Sequence, residues 1–206
     1  PMARRNPVES VSGEPMGKHV DVRMDRPDLE GLPPIEVPAG YELITFSPGL
    51  FEEWVALLDR CFPELEPFDK GKWASRTIER AQFMPEGTFF VRHSGSLVAT
   101  AFCWLDEPDE RELGRVHWVG AEDAHRGRSL GRLVTVAVLH HMVSVGLKRA
   151  MLDTQDYRLP AVNLYLKLGF VPTPQNEAQV DAWRRVLSSL GRSDIPLPAG
   201  PFEQLP

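Results

Sequence analysis

Residues 126–131, which read RGRSLG, have the composition of an anion-binding turn. They place two arginines and two glycines directly before a long apolar run, and Arg132 adds a third arginine. A glycine-containing turn that opens a helix leaves backbone N–H groups unpaired, and the helix dipole adds partial positive charge at the same end. Arginine can also hold a phosphate with two parallel hydrogen bonds. The pattern predicts a phosphate or pyrophosphate site; the alternative is a solvated patch of arginines at an ordinary helix start.

Ser129 lies where this turn joins the predicted helix. A serine at a helix N-terminus costs little, because it can cap the helix with its side-chain oxygen, and its hydroxyl can instead donate to a phosphate. Either role leaves anion binding intact. The glycine spacing matches neither the dinucleotide fingerprint nor the P-loop, so the turn alone does not identify the anion.

The elements that must position this turn are predicted from hydrophobic periodicity and turn residues. The predicted strands are 19–24, 41–46, two strands within 87–105 around a turn at Ser94-Gly95, 114–121, 149–155 and one that begins at 170–173. The predicted helices are 51–62, a weaker one at 72–83, 130–145, 160–169 and 177–190. This order predicts an α/β or α+β fold with one central sheet.

Composition indicates one soluble globular domain over residues 19–206, with a disordered segment at 1–18 that lacks the apolar core of a signal peptide. The net charge of −6 argues against a nucleic-acid partner, and no apolar stretch is long enough to span a membrane. Cys61 and Cys103 lack metal-ligand spacing. They predict two reduced cysteines in a cytoplasmic protein without a metal.

The segments around the turn resemble the GCN5-related N-acetyltransferase (GNAT) family. The family's pyrophosphate signature, Q/R-x-x-G-x-G/A, is similar to residues 126–131, although Ser129 stands at the family's middle glycine. The family's second signature, A-x-x-L-Y-x-K-L-G-F, is similar to residues 161–170. The resemblance covers residues 41–173. It implies a mixed central sheet with a V-shaped splay between two central parallel strands, flanked by helices, and an acetyl-CoA-dependent N-acetyltransferase.

The resemblance also implies where acetyl-CoA binds, without a metal. Its pyrophosphate is expected on the backbone of the turn, and its pantetheine arm is expected to pair with a strand edge as a short extra strand. The implied cofactor-binding residues are Val119, Gly120, Ala121, Arg126, Gly127, Arg128, Ser129, Leu130, Gly131 and Arg132. Gly120 suits a close backbone approach, and a simple bulge is the alternative.

Two catalytic residues follow from the resemblance and from side-chain chemistry. Tyr165 matches the family tyrosine that protonates the departing sulfur, since a phenol with a pKa near ~10 is protonated at neutral pH; packing on a helix is the alternative. His117 is the candidate general base because histidine titrates in the useful range. Other candidate bases are Glu112, Glu122, Asp153 and ordered water.

The acceptor stays open between a primary amine of a small molecule and a protein amino group, as does homodimer formation. Tyr157 and Arg158 follow a central strand and are expected to face the cleft; many family members carry an asparagine at the position of Arg158. Five aromatic residues either line an acceptor pocket or pack in the core: Trp73, Phe83, Trp104, Trp118 and Trp183. The alternative function is a non-catalytic CoA-binding sensor or scaffold, and the retained Tyr165 favours the enzyme.

Overall fold

The computed structural model describes residues 19–198, so the segment 1–18, predicted to be disordered, lies outside the described residues. Seven strands form one sheet with helices on both faces. The strands are β1 (Asp21–Arg26), β2 (Glu42–Thr45), β3 (Phe83–His93), β4 (Ser96–Trp104), β5 (Leu113–Ala121), β6 (Arg149–Gln155) and β7 (Val171–Pro172). The α-helices are α1 (Phe51–Cys61), α2 (Lys70–Arg76), α3 (Leu130–Ser144), α4 (Leu159–Lys167) and α5 (Glu177–Ser189). Single turns of 3₁₀ helix precede α1 at Pro48–Leu50 and follow β5 at Asp123–His125.

The sheet has the strand order β2-β3-β4-β5-β6-β1-β7. All neighbouring pairs are antiparallel except β5 and β6, which are parallel. These two strands pair only between Leu113–Arg115 and Arg149–Met151, and beyond this short ladder they have no register. The predicted α/β fold with a splay between two parallel central strands is therefore confirmed.

The two faces of the sheet carry separate hydrophobic clusters. Ala101 and Cys103 of β4 belong to the larger cluster, which includes α3, α4 and α5. Phe102, between them, belongs to the smaller cluster with α1 and α2. Successive side chains of a strand point to opposite faces, so β4 separates the two cores. The final helix packs its predicted face, with Trp183 fully buried.

The second helix is shorter than predicted and starts earlier. Asp69 accepts a hydrogen bond from the backbone N–H of Lys72 at 2.7 Å and caps the helix start, which moves α2 to Lys70–Arg76. Thr77 leaves the helical region, with φ −127° and ψ −88°, and its hydroxyl donates to the carbonyl of Trp73. The residues predicted as the second half of this helix form turns, and β3 begins at Phe83.

The first strand ties the N-terminal part of the described chain to α4. It lies between β6 and β7, antiparallel to both. The guanidinium of Arg26 is 7% exposed and donates to the carbonyls of Leu168 at 2.8 Å, Asp28 at 2.5 Å and Glu30 at 2.7 Å. Since Leu168 directly follows α4, Arg26 holds the carboxyl end of that helix.

Within residues 19–198, no helix has both the length and the apolar character needed to cross a membrane.

Replacing Arg26 with alanine is expected to lower the free energy of unfolding by about 2–4 kcal/mol, because three carbonyls lose their donor at a buried site. Urea denaturation measures this loss. The control is Arg23→Ala on the same strand, which removes a partly exposed ion pair with Asp153 and should cost less than about 1 kcal/mol. Equal losses in the two variants would contradict a special role for Arg26.

Candidate functional site

A β-bulge shapes β5 beyond the point where it leaves β6. Trp118 has a left-handed φ of 47°, and the register with β4 shifts between Thr100 and Phe102. A bulge leaves one extra residue on its strand, so two successive side chains can face the same side. The ring of His117 lies 5.2 Å from that of Phe102, on the face of α1 and α2, and Trp118 belongs to the same cluster. Val119 packs on the opposite face.

The bulge coincides with the free edge of β5. The ladder with β6 ends at the pair Arg115–Met151, but β5 continues to Ala121. Among residues 19–198, the edge that faces β6 therefore has no strand partner over its last residues. An unpaired edge of this kind can accept an extended ligand as an additional strand.

The turn before α3 is built from left-handed residues. Gly127 has φ 76° and Ser129 has φ 58°. Of the two roles considered for Ser129, side-chain capping is not observed, because its side chain makes no capping hydrogen bond. The role of its hydroxyl as a donor to a phosphate stays a prediction. A capping residue normally has an extended backbone, which directs its side-chain oxygen to the next amides; a left-handed serine does not.

The first backbone N–H groups of α3 have no hydrogen-bond acceptor within the helix. The N-terminal N–H groups of any α-helix have no intrahelical partner. The first such bond here runs from Leu133 N–H to the carbonyl of Ser129 at 2.9 Å, and no side chain in the described part of the chain caps the amides before it. Together with the helix dipole, they form a concentrated set of donors for an anion.

The arginines of the turn lie at its solvent side. Arg126 pairs with Asp123 at 2.5 Å, and both side chains are 72% exposed. Arg132 pairs more loosely with Glu36, at 3.5 Å. Surface ion pairs of this kind contribute little to stability, so both arginines can exchange their partner for another anion at small cost.

Tyr41 anchors the turn to the segment before β2. The guanidinium of Arg128 lies 5.9 Å from the centroid of the Tyr41 ring. The Tyr41 hydroxyl is hydrogen-bonded to Nδ1 of His125 at 2.9 Å, and the side chain is buried. Tyr41 thus contacts both His125, which precedes the turn, and Arg128 within it, and these two contacts hold the turn in place.

Gly131 marks the place where the turn, β5 and α4 meet. A Cβ built on this glycine would lie 3.7 Å from Cδ2 of Leu164 and 4.0 Å from Cγ1 of Val119. These are ordinary van der Waals distances, so alanine fits and a larger side chain enters the space between β5 and α4. The neighbouring Leu130 is 2% exposed and fixes the first turn of α3 in the core.

Gly120 is required for helix packing. A Cβ at this position would lie 2.9 Å from Cβ of Cys61 and 3.1 Å from Cζ of Phe62. The close approach that a glycine permits is therefore made by the end of α1, and the bulge itself lies at Trp118. Pantetheine pairing along Gly120 and Ala121 uses the strand edge and stays a prediction.

Tyr165 lies on α4 and is 5% exposed. Burial raises the pKa of its phenol above the ordinary value, while the positive charge of Arg158 opposes that rise. The hydroxyl therefore stays protonated at any working pH and can act as a proton donor. Its ring also contacts Phe170, at 5.9 Å between centroids, so the ring packs in the core.

His117 is a weak base in this environment. Burial, together with the nearby positive charge of Arg115, lowers the pKa of its imidazole to about 3. The carboxylates considered as alternative bases are each paired with arginine. The pairs are Glu112 with Arg149, Glu122 with Arg60, and Asp153 with both Arg23 and Arg115. The role of His117 as the base stays a prediction.

An aromatic group on the face of α1 and α2 adjoins His117. Trp118 contacts Phe62 and Phe68, with ring centroids 5.1 Å apart in each case, and Trp73 at 5.3 Å. Trp73 is largely buried, which fits packing, whereas Tyr157 is 43% exposed near the cleft. Sequence reasoning missed Phe62 and Phe68 as residues of this face.

Two further features of the described residues concern metal-ligating side chains and surface depressions. No group of three or more His, Cys, Asp or Glu side chains in residues 19–198 is arranged to hold a metal ion. An open depression of about 460 Å³ lies at the far end of β5, near the turn, and is separate from the splay. Its lining residues are Glu53, Arg60, His93, Ser94, Ser96, Val98, Glu122 and His125.

The splayed sheet and the uncapped start of α3 together define a domain with an open strand edge and unpaired backbone donors at its centre. The chain belongs to the Acetyltransferase (GNAT) family, whose sequence model matches residues 51–170. The family and the fold class expected from the sequence are thereby confirmed.

The chain is also similar to individual members of this family, in sequence and in fold. It is 39% identical over 158 residues to a mycothiol acetyltransferase of Thermobispora bispora, which covers 72% of this chain and 52% of that protein. A mycothiol acetyltransferase of Thermomonospora curvata is 34% identical over 156 residues, 72% of this chain and 50% of that protein. The chain thus spans about half the length of these curated relatives. A GCN5-related N-acetyltransferase from Sphaerobacter thermophilus shares the fold, with a TM-score of 0.61 and 22% identity over 75% of this chain and 49% of its own.

Replacing Ser129 with glycine is expected to raise the free energy of unfolding by about 0.5–1 kcal/mol. Glycine adopts the left-handed conformation without a Cβ penalty, and its greater freedom in the unfolded chain offsets part of the gain. The control is Ser144→Gly at the end of α3, which should lower stability by about 0.5–1 kcal/mol. Urea denaturation that shows equal destabilisation by both would contradict strain at Ser129.

Proposed function

We propose that this chain is an acetyl-CoA-dependent N-acetyltransferase that acylates a primary amine. One observation carries the proposal: the free amides before α3, the free edge of β5 and the helix of Tyr165 border the same opening. The short distances from Gly131 to Val119 and Leu164 support this arrangement. Each part supplies something that an acyl-CoA ligand and its transfer reaction need.

The pyrophosphate of acetyl-CoA would bind the amides between Gly127 and Arg132. Ser129 supports this binding because its backbone adopts the conformation that a glycine would adopt there. The side chains of Arg126 and Arg132 add charge once they exchange their exposed acidic partners. The pantetheine arm would then run along Val119–Ala121 as a short extra strand, which completes the edge that β6 leaves free.

Tyr165 is proposed as the general acid. The amine nitrogen attacks the thioester carbon, the new C–N bond forms, and the C–S bond breaks with its electron pair on sulfur. The phenol, protonated at working pH, donates its proton to that sulfur. The N–H of Val119 is proposed to donate a hydrogen bond to the thioester oxygen, where negative charge develops.

The acceptor amine must lose a proton without a strong base. His117 has a pKa near 3 and is neutral at working pH, so it can accept a hydrogen bond from the amine but binds a proton weakly. The paired carboxylates around β5 are no better suited. We therefore infer that His117 orients the amine and that water removes the proton.

We favour a small-molecule amine over a protein amino group as the acceptor. The chain resembles two proteins named mycothiol acetyltransferase, which suggests an amine related to mycothiol. Release of free CoA thiol with a panel of amines tests this and separates an enzyme from a CoA-binding sensor. Binding of CoA without release on any amine would favour the sensor.

Gly131→Phe is expected to weaken acetyl-CoA binding by more than about 100-fold, because the ring fills the space between β5 and α4. Gly131→Ala is the matched control and should stay within about threefold of the wild type, since its methyl group makes ordinary contacts. Calorimetric titration gives both affinities, and thermal denaturation verifies folding. A folded phenylalanine variant with unchanged affinity would exclude this site.

Tyr165→Phe is expected to lower kcat by about 100-fold while acetyl-CoA affinity and thermal stability stay close to those of the wild type. The change removes only the hydroxyl, so the buried ring keeps its packing. The readouts are kcat with the best amine of the panel, calorimetric affinity and Tm. A kcat within about twofold of the wild type would make Tyr165 a packing residue.

A further inference from the structure

Arg158 connects the two sides of the opening. It lies at the N-cap of α4, and its guanidinium is hydrogen-bonded to the carboxylate of Glu64 in the loop that follows α1. The same guanidinium lies 5.2 Å from the centroid of the Phe62 ring and 5.4 Å from that of Tyr157. We call this group the Arg158–Glu64 clasp. It holds a positive charge between the aromatic face of β5 and the helix of Tyr165.

One donor of the clasp is unused. The Nε–H of Arg158 is buried and has no hydrogen-bond partner within the described residues. A buried donor without an acceptor costs free energy, so native structures seldom keep one. An acceptor atom of a ligand in the opening would satisfy it.

The charge of Arg158 also acts on Tyr165. Arg158 is the residue directly before α4, and Tyr165 lies within that helix, where long side chains lean toward the N-terminus. The positive charge of Arg158 opposes the rise that burial imposes on the pKa of the Tyr165 phenol. The side chain of Arg158 is 23% exposed, whereas Glu64 lies at the surface with 37% side-chain exposure, so solvent partly screens the charge of this pair.

We propose that Arg158 is a second catalytic residue, which stabilises the negative charge on the CoA sulfur while the C–S bond breaks, and that Glu64 orients its guanidinium. This inference rests on the proposed function. The electron pair of the C–S bond passes to sulfur, and the sulfur carries the charge until the Tyr165 proton reaches it. Arg158 itself exchanges no proton, because arginine stays charged at any working pH.

The experiment measures the pKa of the CoA thiol bound to the full chain, from the ultraviolet absorbance of the thiolate during a pH titration. A positive charge within ~4–6 Å lowers such a pKa by about 1–3 units. Arg158→Gln should therefore raise the thiol pKa of bound CoA by about one unit or more, and Arg158→Lys should restore most of the difference. The charge control is Arg184→Gln on α5, whose exposed partner is Asp181; it should leave the thiol pKa unchanged.

The outcomes separate this inference from the function on which it rests. A thiol pKa that rises in Arg158→Gln, recovers in Arg158→Lys and is constant in Arg184→Gln supports the role of Arg158. If CoA binds but its thiol pKa does not respond to Arg158→Gln, or the lysine variant fails to restore it, the role of Arg158 is refuted while the proposed function stands. A wild-type protein that binds no CoA overturns both.

Discussion

The early end of pairing between β5 and β6 is the constraint on which the site depends. Two parallel strands at the centre of a sheet normally pair along their length, and here they separate after Arg115 and Met151. The left-handed residue Trp118 follows closely, and it bends β5 away while it turns His117 and Trp118 to one face. A backbone conformation of this kind is costly for a bulky side chain and is kept where the surrounding packing enforces it. The aromatic contacts of Trp118 supply that packing.

The opening lies between β5 and α4, and contacts with other elements fix the position of each. The end of α1 packs closely against Gly120 and fixes the position of β5. Arg26, on β1, donates a hydrogen bond to the carbonyl of Leu168 directly after α4 and so fixes that helix. Its strand is held in turn by pairing with β6. The donors in between are mostly backbone groups, which do not depend on side-chain identity. This explains how Ser129 can replace a glycine, provided that its backbone takes the left-handed form.

The sequence predicted the local elements better than their neighbours in space. The strand at 149–155 and the helix at 130–145 follow from short-range patterns, and the structure places both within one residue of the predicted bounds. The insertion of β1 beside β6 could not be predicted, because strand pairing between distant segments leaves no local signal. The bulge at Trp118 was hidden within an apolar run. The sequence did not decide between the two roles of Ser129, because serine is common at caps and only occasionally left-handed. Glu64 was missed since its importance arises from Arg158, which lies far along the chain.

Amide hydrogen exchange with and without acetyl-CoA tests the central claim most directly, since the claim concerns backbone groups. The account predicts that acetyl-CoA slows exchange at the amides of 127–132 and along Val119–Ala121, and leaves the outer strand β2 unchanged. Those two segments have free amides or a free edge and would gain partners from the pyrophosphate and the pantetheine arm. Bound acetyl-CoA that protects other segments, while both of these exchange as in the free protein, would contradict the account.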